Sequence, residues 1–133
     1  MTKPTRADRT LVTGQHGTVE YAIRLDDTME VRDFFDSQSI SIRAGFGVLF
    51  TRLTNDRRIQ DVRQFHPVDE MWVFKKGDFR ILTMQLGTRW LLLHWYKKNR
   101  DKIELGAKTH ARTVYSEHMQ WEAKHQPNVT RKP

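Results

Sequence analysis

The thirty residues from Met71 to Arg100 hold the side chains whose types and spacing could do chemistry. Seven are basic (Lys75, Lys76, Arg80, Arg89, Lys97, Lys98 and Arg100) and one, Asp78, is acidic. They carry a net +6 of a whole-chain charge of +7, whereas residues 1–70 are close to neutral, with ten basic against eleven acidic side chains. A surplus focused in this way makes a local positive field that attracts polyanions, nucleic acid first among them. A solvated basic face or an acidic protein partner would account for the same count, and both readings stay open.

The register of the segment sharpens the pattern. Three apolar-rich runs, Met71–Lys76, Phe79–Leu86 and Arg89–Tyr96, are separated by Gly77-Asp78 and Gly87-Thr88. Each is a Gly-first pair of the kind that closes a two-residue type II′ hairpin, which predicts a three-stranded antiparallel meander. With both turns two residues long, Lys75 pairs with Arg80 and Arg80 with Trp95, so these three share a face, joined by Lys97 two residues on. That combination suits contact with phosphates while a base stacks on the indole. Exposed strand lysines and arginines also serve simply to block edge pairing, and Trp95 could be core. The same face carries Met71, Val73, Leu82, Met84, Leu91 and Leu93, which need cover from a helix. The opposite face takes Trp72, Phe74, Phe79, Ile81, Leu92, His94 and Tyr96, and there His94 reads as a satisfied core histidine rather than a catalytic one.

Other chemistry is thin. The histidines at 16, 66, 94, 110, 118 and 125 show neither H-x-x-x-H nor H-E-x-x-H spacing, so neither a metal site nor a cofactor is expected. Cysteine is absent, which excludes thiol catalysis, disulfides and thiolate metal sites. Phosphate-loop, nucleophile-elbow and dinucleotide motifs are missing as well.

These residues must be positioned by a small domain. A chain of 133 residues fits one domain, expected at 18–124 between an arm (1–17) and a tail (125–133). Val19, Tyr21, Ile23 and Leu25 alternate with polar residues, predicting a strand over 18–25. Asp26-Asp27-Thr28 offers cap chemistry for a helix over 28–37, and a second helix is expected over 40–55, weakened by Gly45 and Gly47. Residues 55–68, broken by Pro67, read as a loop, and helical spacing from Ile103 to Met119 predicts a last helix over 102–124. No apolar run reaches the roughly 18 residues of a membrane crossing, and no secretory leader is visible, so a cytoplasmic address without membrane contact is expected.

The order strand, two helices, meander and helix, with E-M-W-V-F-K (70–75), G-D-F-R-I-L (77–82), W-L-L-L-H-W-Y-K-K (90–98) and A-x-x-x-A-R (107–112), resembles the RelE/HigB superfamily of toxins, in particular its phage-derived HigB-like branch. The match covers about residues 70–115. Lys75 stands where that branch usually has Arg, Tyr96 where it has Phe, and the Thr-Pro that often opens the last helix is missing. The resemblance implies an α+β, RelE-like fold in which an N-terminal strand and two helices pack on an antiparallel sheet followed by a C-terminal helix. It also implies an mRNA interferase: a metal-independent, usually ribosome-dependent endoribonuclease of a type II toxin-antitoxin system, neutralised by a small helix-turn-helix antitoxin encoded beside it.

Attack of a ribose 2′-hydroxyl on the adjacent phosphate needs a base, a proton for the leaving oxygen and cations around the phosphorane. Lys75 and Lys97 are candidates for base or acid, provided neighbouring cations lower the pKa of one of them, and Arg80 for the phosphate clamp. Arg89, Trp95, Lys98, Arg100 and Arg112 are the expected RNA contacts. The alternative is a non-catalytic nucleic-acid- or protein-binding module on the same scaffold, such as a gyrase-directed relative or a phage accessory protein.

Overall fold

The structure, a computed structural model, describes residues 6–56, 61, 63–98 and 105–125. A single helical turn, α1 (Arg6–Arg9), leads into β1 (Thr10–Thr13) and β2 (Thr18–Tyr21). Helices α2 (Glu30–Asp36) and α3 (Ile40–Asp56) follow, then β3 (Phe65–Val68), β4 (Met71–Lys76), β5 (Phe79–Leu86), β6 (Arg89–Lys97) and the long helix α4 (Leu105–His125). The six strands form one sheet in the order β1-β2-β6-β5-β4-β3. The class is α+β, as expected, but the sheet is mixed rather than antiparallel, because β2 runs parallel to β6. Two edge strands escape the sequence pattern. Thr10–Thr13 lies in the expected arm, and Phe65–Val68 in the expected loop broken by Pro67. Proline is tolerated there because β3 is an edge strand and needs no donor on its outer side. Among the described residues no helix is long and apolar enough to cross a membrane.

The meander forms where the turn glycines place it. Gly77 and Gly87 sit at φ +59° and +61°, the left-handed region that the first position of a type II′ turn requires. Lys76 pairs with Phe79 across the first turn and Leu86 with Arg89 across the second. Asp69 takes the same left-handed role, at φ +56°, in the turn between β3 and β4. Ser39 opens α3 by accepting a hydrogen bond from the Ile42 amide at 3.2 Å, and the two glycines do not prevent that helix. Gly45 serves a close approach, since a Cβ there would lie 2.8 Å from Cε of Lys76, whose stem crosses α3 at that point.

Register is where the structure departs from the sequence reading. Lys75 pairs with Arg80, and β5 and β6 stay in step from Leu86–Arg89 to Thr83–Leu92. Then Leu82 pairs with His94, leaving Leu93 unopposed. This β-bulge advances β6 by one residue, so Ile81 faces Trp95, Arg80 faces Tyr96 and Phe79 faces Lys97. Every side chain beyond Leu93 therefore sits on the face opposite to the one expected from strict alternation.

Two cores result. Under α2 and α3 lie Phe34, Phe35, Phe46, Leu49, Phe50, Phe74, Ile81, Trp90 and Leu92, with Trp95 packed against them. On the other face Met71, Val73, Leu82, Leu91 and Leu93 are covered by Ala107, Ala111 and Val114 of α4. Polar contacts fix α4 in place. The Ile23 amide donates to Nδ1 of the buried His118 at 3.0 Å, and the Trp121 indole donates to Asp27 at 2.6 Å. Lys108 and Arg112 pair with Asp69 across the sheet, and Arg112 also grips Glu70, whose carboxyl it holds at about 2.

Because a Cβ at Gly87 would meet nothing within 4 Å, Gly87→Ala isolates the backbone cost of a left-handed turn residue. Chemical denaturation should show a loss of about 1–2 kcal/mol with an unchanged m-value.

Candidate functional site

Of the residues singled out in the sequence, the structure brings Lys75, Arg80 and Lys98 to one end of the sheet. Lys75 and Arg80 are cross-strand partners on the α4 side, with Tyr96 opposite Arg80. Burial lowers the pKa of the Lys75 ammonium, and the positive charges of Arg80 and Lys98 lower it further. Arg80 donates to the carbonyls of Gly77 (2.9 Å) and Phe79 (3.0 Å), which turns its guanidinium over the hairpin. The Lys98 amide closes the same end on the Asp78 carbonyl. Among the described residues no carboxylate forms an ion pair with Lys75, Arg80, Lys97 or Lys98.

The other expected site residues lie elsewhere. Lys97 is at the same end but across the sheet, opposite Phe79. Trp95 does not offer an open stacking face beside Lys75. Its ring stacks on Phe34, with centroids 4.3 Å apart, and tilts toward Phe79 in the core under α2. Both placements correct the expected register, and the cause is the bulge at Leu93. Arg89 stands at the far end of β6, bound to the fully buried Glu20 at 3.0 Å and to Glu122 at 2.6 Å. Glu122 also meets Arg9 at 3.3 Å and His118 at 3.4 Å. Burial raises the Glu122 pKa, but His118 and Arg89 outweigh it and hold the carboxyl well below its ordinary range. Arg112 is engaged by Asp69 and Glu70, and Arg100 lies outside the described residues.

A second group escaped the sequence. Past the bulge, His94 turns toward α4 instead of the α2 core, correcting the expectation of an apolar-face histidine, and its ring centroid stands 4.2 Å from that of His110. Both rings close on Glu30, the first residue of α2: His94 Nδ1 lies 3.1 Å from Oε1 and His110 Nε2 lies 2.7 Å from Oε2. Arg24 donates to the same carboxylate at 2.9 Å while its other two nitrogens hold Glu117 in a fork, at 3.1 and 2.7 Å. Burial raises the Glu30 pKa, yet the hydrogen bonds and charges of the two imidazoles prevail and leave it at about 2. No local spacing could have revealed this group, since its members are 64 and 80 residues from Glu30. Chemically it is a carboxylate that orients two imidazoles, a set able to pass protons or to hold a metal ion.

No family model matches the chain, and no curated protein or solved structure matches it either.

The two outlying arginines should behave differently from each other. Arg89→Ala leaves Glu20 and Glu122 without their main cation in a buried setting and should cost about 3–5 kcal/mol. Arg112→Ala breaks an exposed, solvent-screened pair and should leave the denaturation midpoint nearly unchanged. Because the folded-state pKa of Glu122 is depressed, its share of stability is present above the unfolded value near 4.3 and is lost as pH falls through and below it. Denaturation curves from pH 7 to pH 3 should show that loss in the native chain and a smaller one in Arg89→Ala.

Proposed function

We propose that this chain is a toxin of the RelE/HigB kind, a metal-independent and ribosome-dependent mRNA endoribonuclease. The observation that carries the reading is the basic end of the sheet, where among the described residues no carboxylate pairs with Lys75, Arg80 or Lys98 and the Lys75 pKa is lowered. A lysine whose proton is loosened by burial and by two cations gives it up more readily than a free lysine, while Arg80 can grip two phosphate oxygens at once. Cyclising attack by a 2′-hydroxyl makes a phosphorane richer in negative charge than the ground state, so fixed cations favour the transition state over the substrate. Lys97, across the same end, is available to the strand leaving the site. The element order supports the reading too: β2, α2, α3, the β4–β6 meander and α4 follow the sequence expected of that superfamily.

The partners in this reading are mRNA on the ribosome and an antitoxin with an acidic surface, encoded by a neighbouring helix-turn-helix gene, that covers the basic end. Expression alone should arrest growth, and the antitoxin should restore it. In a purified translation system, Arg80→Ala should slow cleavage of ribosome-bound mRNA by about 10²- to 10³-fold. Lys75→Ala should slow it and displace the basic limb of the pH–rate profile. Thermal melting checks that each variant is folded. A folded Arg80→Ala chain with full activity removes the clamp, and absence of cleavage and of growth arrest by the native chain favours a non-catalytic binding module.

A further inference from the structure

We infer that Glu30, His94 and His110 form a binding site for one divalent transition-metal ion, with Zn²⁺ the species it fits. One donor atom from each lies within 4.8 Å of the donors of the other two. They come from three elements, the start of α2, the bulged part of β6 and the first half of α4, so the packing of the whole domain brings them together. The edge of a tetrahedron with metal–ligand bonds of about 2.0–2.1 Å is about 3.3 Å. His94 Nδ1 stands 3.1 Å from Oε1 and His110 Nε2 stands 2.7 Å from Oε2, so the carboxylate would turn to present one oxygen to both rings or bind through both, the ion taking the place of the two hydrogen bonds.

The donor set also selects the ion. Two imidazoles and a single carboxylate suit Zn²⁺, Co²⁺ or Ni²⁺, whereas Mg²⁺ and Ca²⁺ require several oxygen ligands. Three protein ligands leave a fourth position open, the arrangement found in zinc sites that exchange ligands rather than in closed structural ones. Access exists, because the His94, Glu30 and His110 side chains retain 20%, 21% and 37% of their exposure. Arg24 donates to Oε2 of Glu30 at 2.9 Å and is itself neutralised by Glu117 through a two-bond fork, so the carboxylate is oriented by a compensated cation. A bound ion would fasten α4 to α2 and β6 at one point. The inference does not depend on the nuclease reading, since none of the three residues belongs to the basic strand end.

The test is calorimetric titration of the full chain, free of any histidine tag, with Zn²⁺, together with the absorption spectrum of the Co²⁺ complex. One ion per chain and the intense visible bands of tetrahedral Co²⁺ are expected. Glu30→Gln and His110→Ala should each weaken binding by at least about 10-fold, by comparison with losses from removing groups that merely orient ligands. His66→Ala, on the edge strand, should bind as the native chain does. The His110 ring is the most exposed of the three, so His110→Ala remains decisive if Glu30→Gln does not fold. Absence of one-to-one binding by the native chain overturns the inference, as does binding undiminished in folded His110→Ala. A Co²⁺ spectrum lost equally in His66→Ala overturns it too. Because these readouts involve no RNA, a chain that binds zinc but leaves mRNA intact would reject the nuclease reading alone.

Discussion

One unopposed residue in β6 sets the contents of both candidate sites. Trp90, Leu92 and Trp95 all belong to the core under α2 and α3, and a strictly alternating strand cannot place residues 92 and 95 on one side. The bulge at Leu93 reconciles them: Leu93 and His94 both face α4, and alternation then resumes one step out of phase. Without it, His94 would enter the cluster of Phe74, Ile81 and Leu92, where an unpartnered imidazole costs about 1–3 kcal/mol. Trp95 would leave Phe34, and Tyr96 would no longer stand opposite Arg80. The imidazole pair, the aromatic stack and the make-up of the basic end are three consequences of the same shift.

The cations of the chain divide into two kinds, and α4 does the dividing. Its apolar stripe consists of the small Ala107, Ala111 and Val114, which bury little area each, and of Trp121, buried toward its far end. Polar and ionic ties supply the rest of its attachment: Lys108 and Arg112 to the β3–β4 turn, His110 to the start of α2, Glu117 to Arg24 ahead of that helix, His118 to the Ile23 amide, and Glu122 to Arg9 and Arg89. Arginines drawn into these ties hold the fold together and present little free charge. At the Lys75–Arg80 end burial lowers the Lys75 pKa, and the neighbouring charges of Arg80 and Lys98 lower it further. A positive surplus that no carboxylate among the described residues neutralises is the feature a phosphate backbone would meet.

Several elements were legible because local rules govern them. The Gly-first turns required left-handed glycines and produced them, and they fixed the Lys75–Arg80 pair at its expected place. The need of Met71, Val73, Leu82 and Leu91 for a covering helix was met by α4, and the pairing of Phe74 and Ile81 with the early helices held. Edge strands were not legible. A four-residue strand such as β1 leaves too short a pattern to recognise, and β3 carries a proline whose tolerance depends on having no neighbour on one side.

By itself the sequence determined the α+β class, the meander and its turns, the location of the charge surplus and the Lys75–Arg80 pair. Those follow from interactions between residues close along the chain, or joined by turns of fixed length. Tertiary structure alone decided which face each residue after Leu93 occupies, which arginines are consumed in ion pairs, and that Glu30 meets two histidines. The reason is physical: the run Trp90-Leu91-Leu92-Leu93 is buried on both faces, so its polarity has no period from which a one-residue slip can be seen. A carboxylate and two imidazoles on separate elements acquire their spacing only when sheet and helices close together.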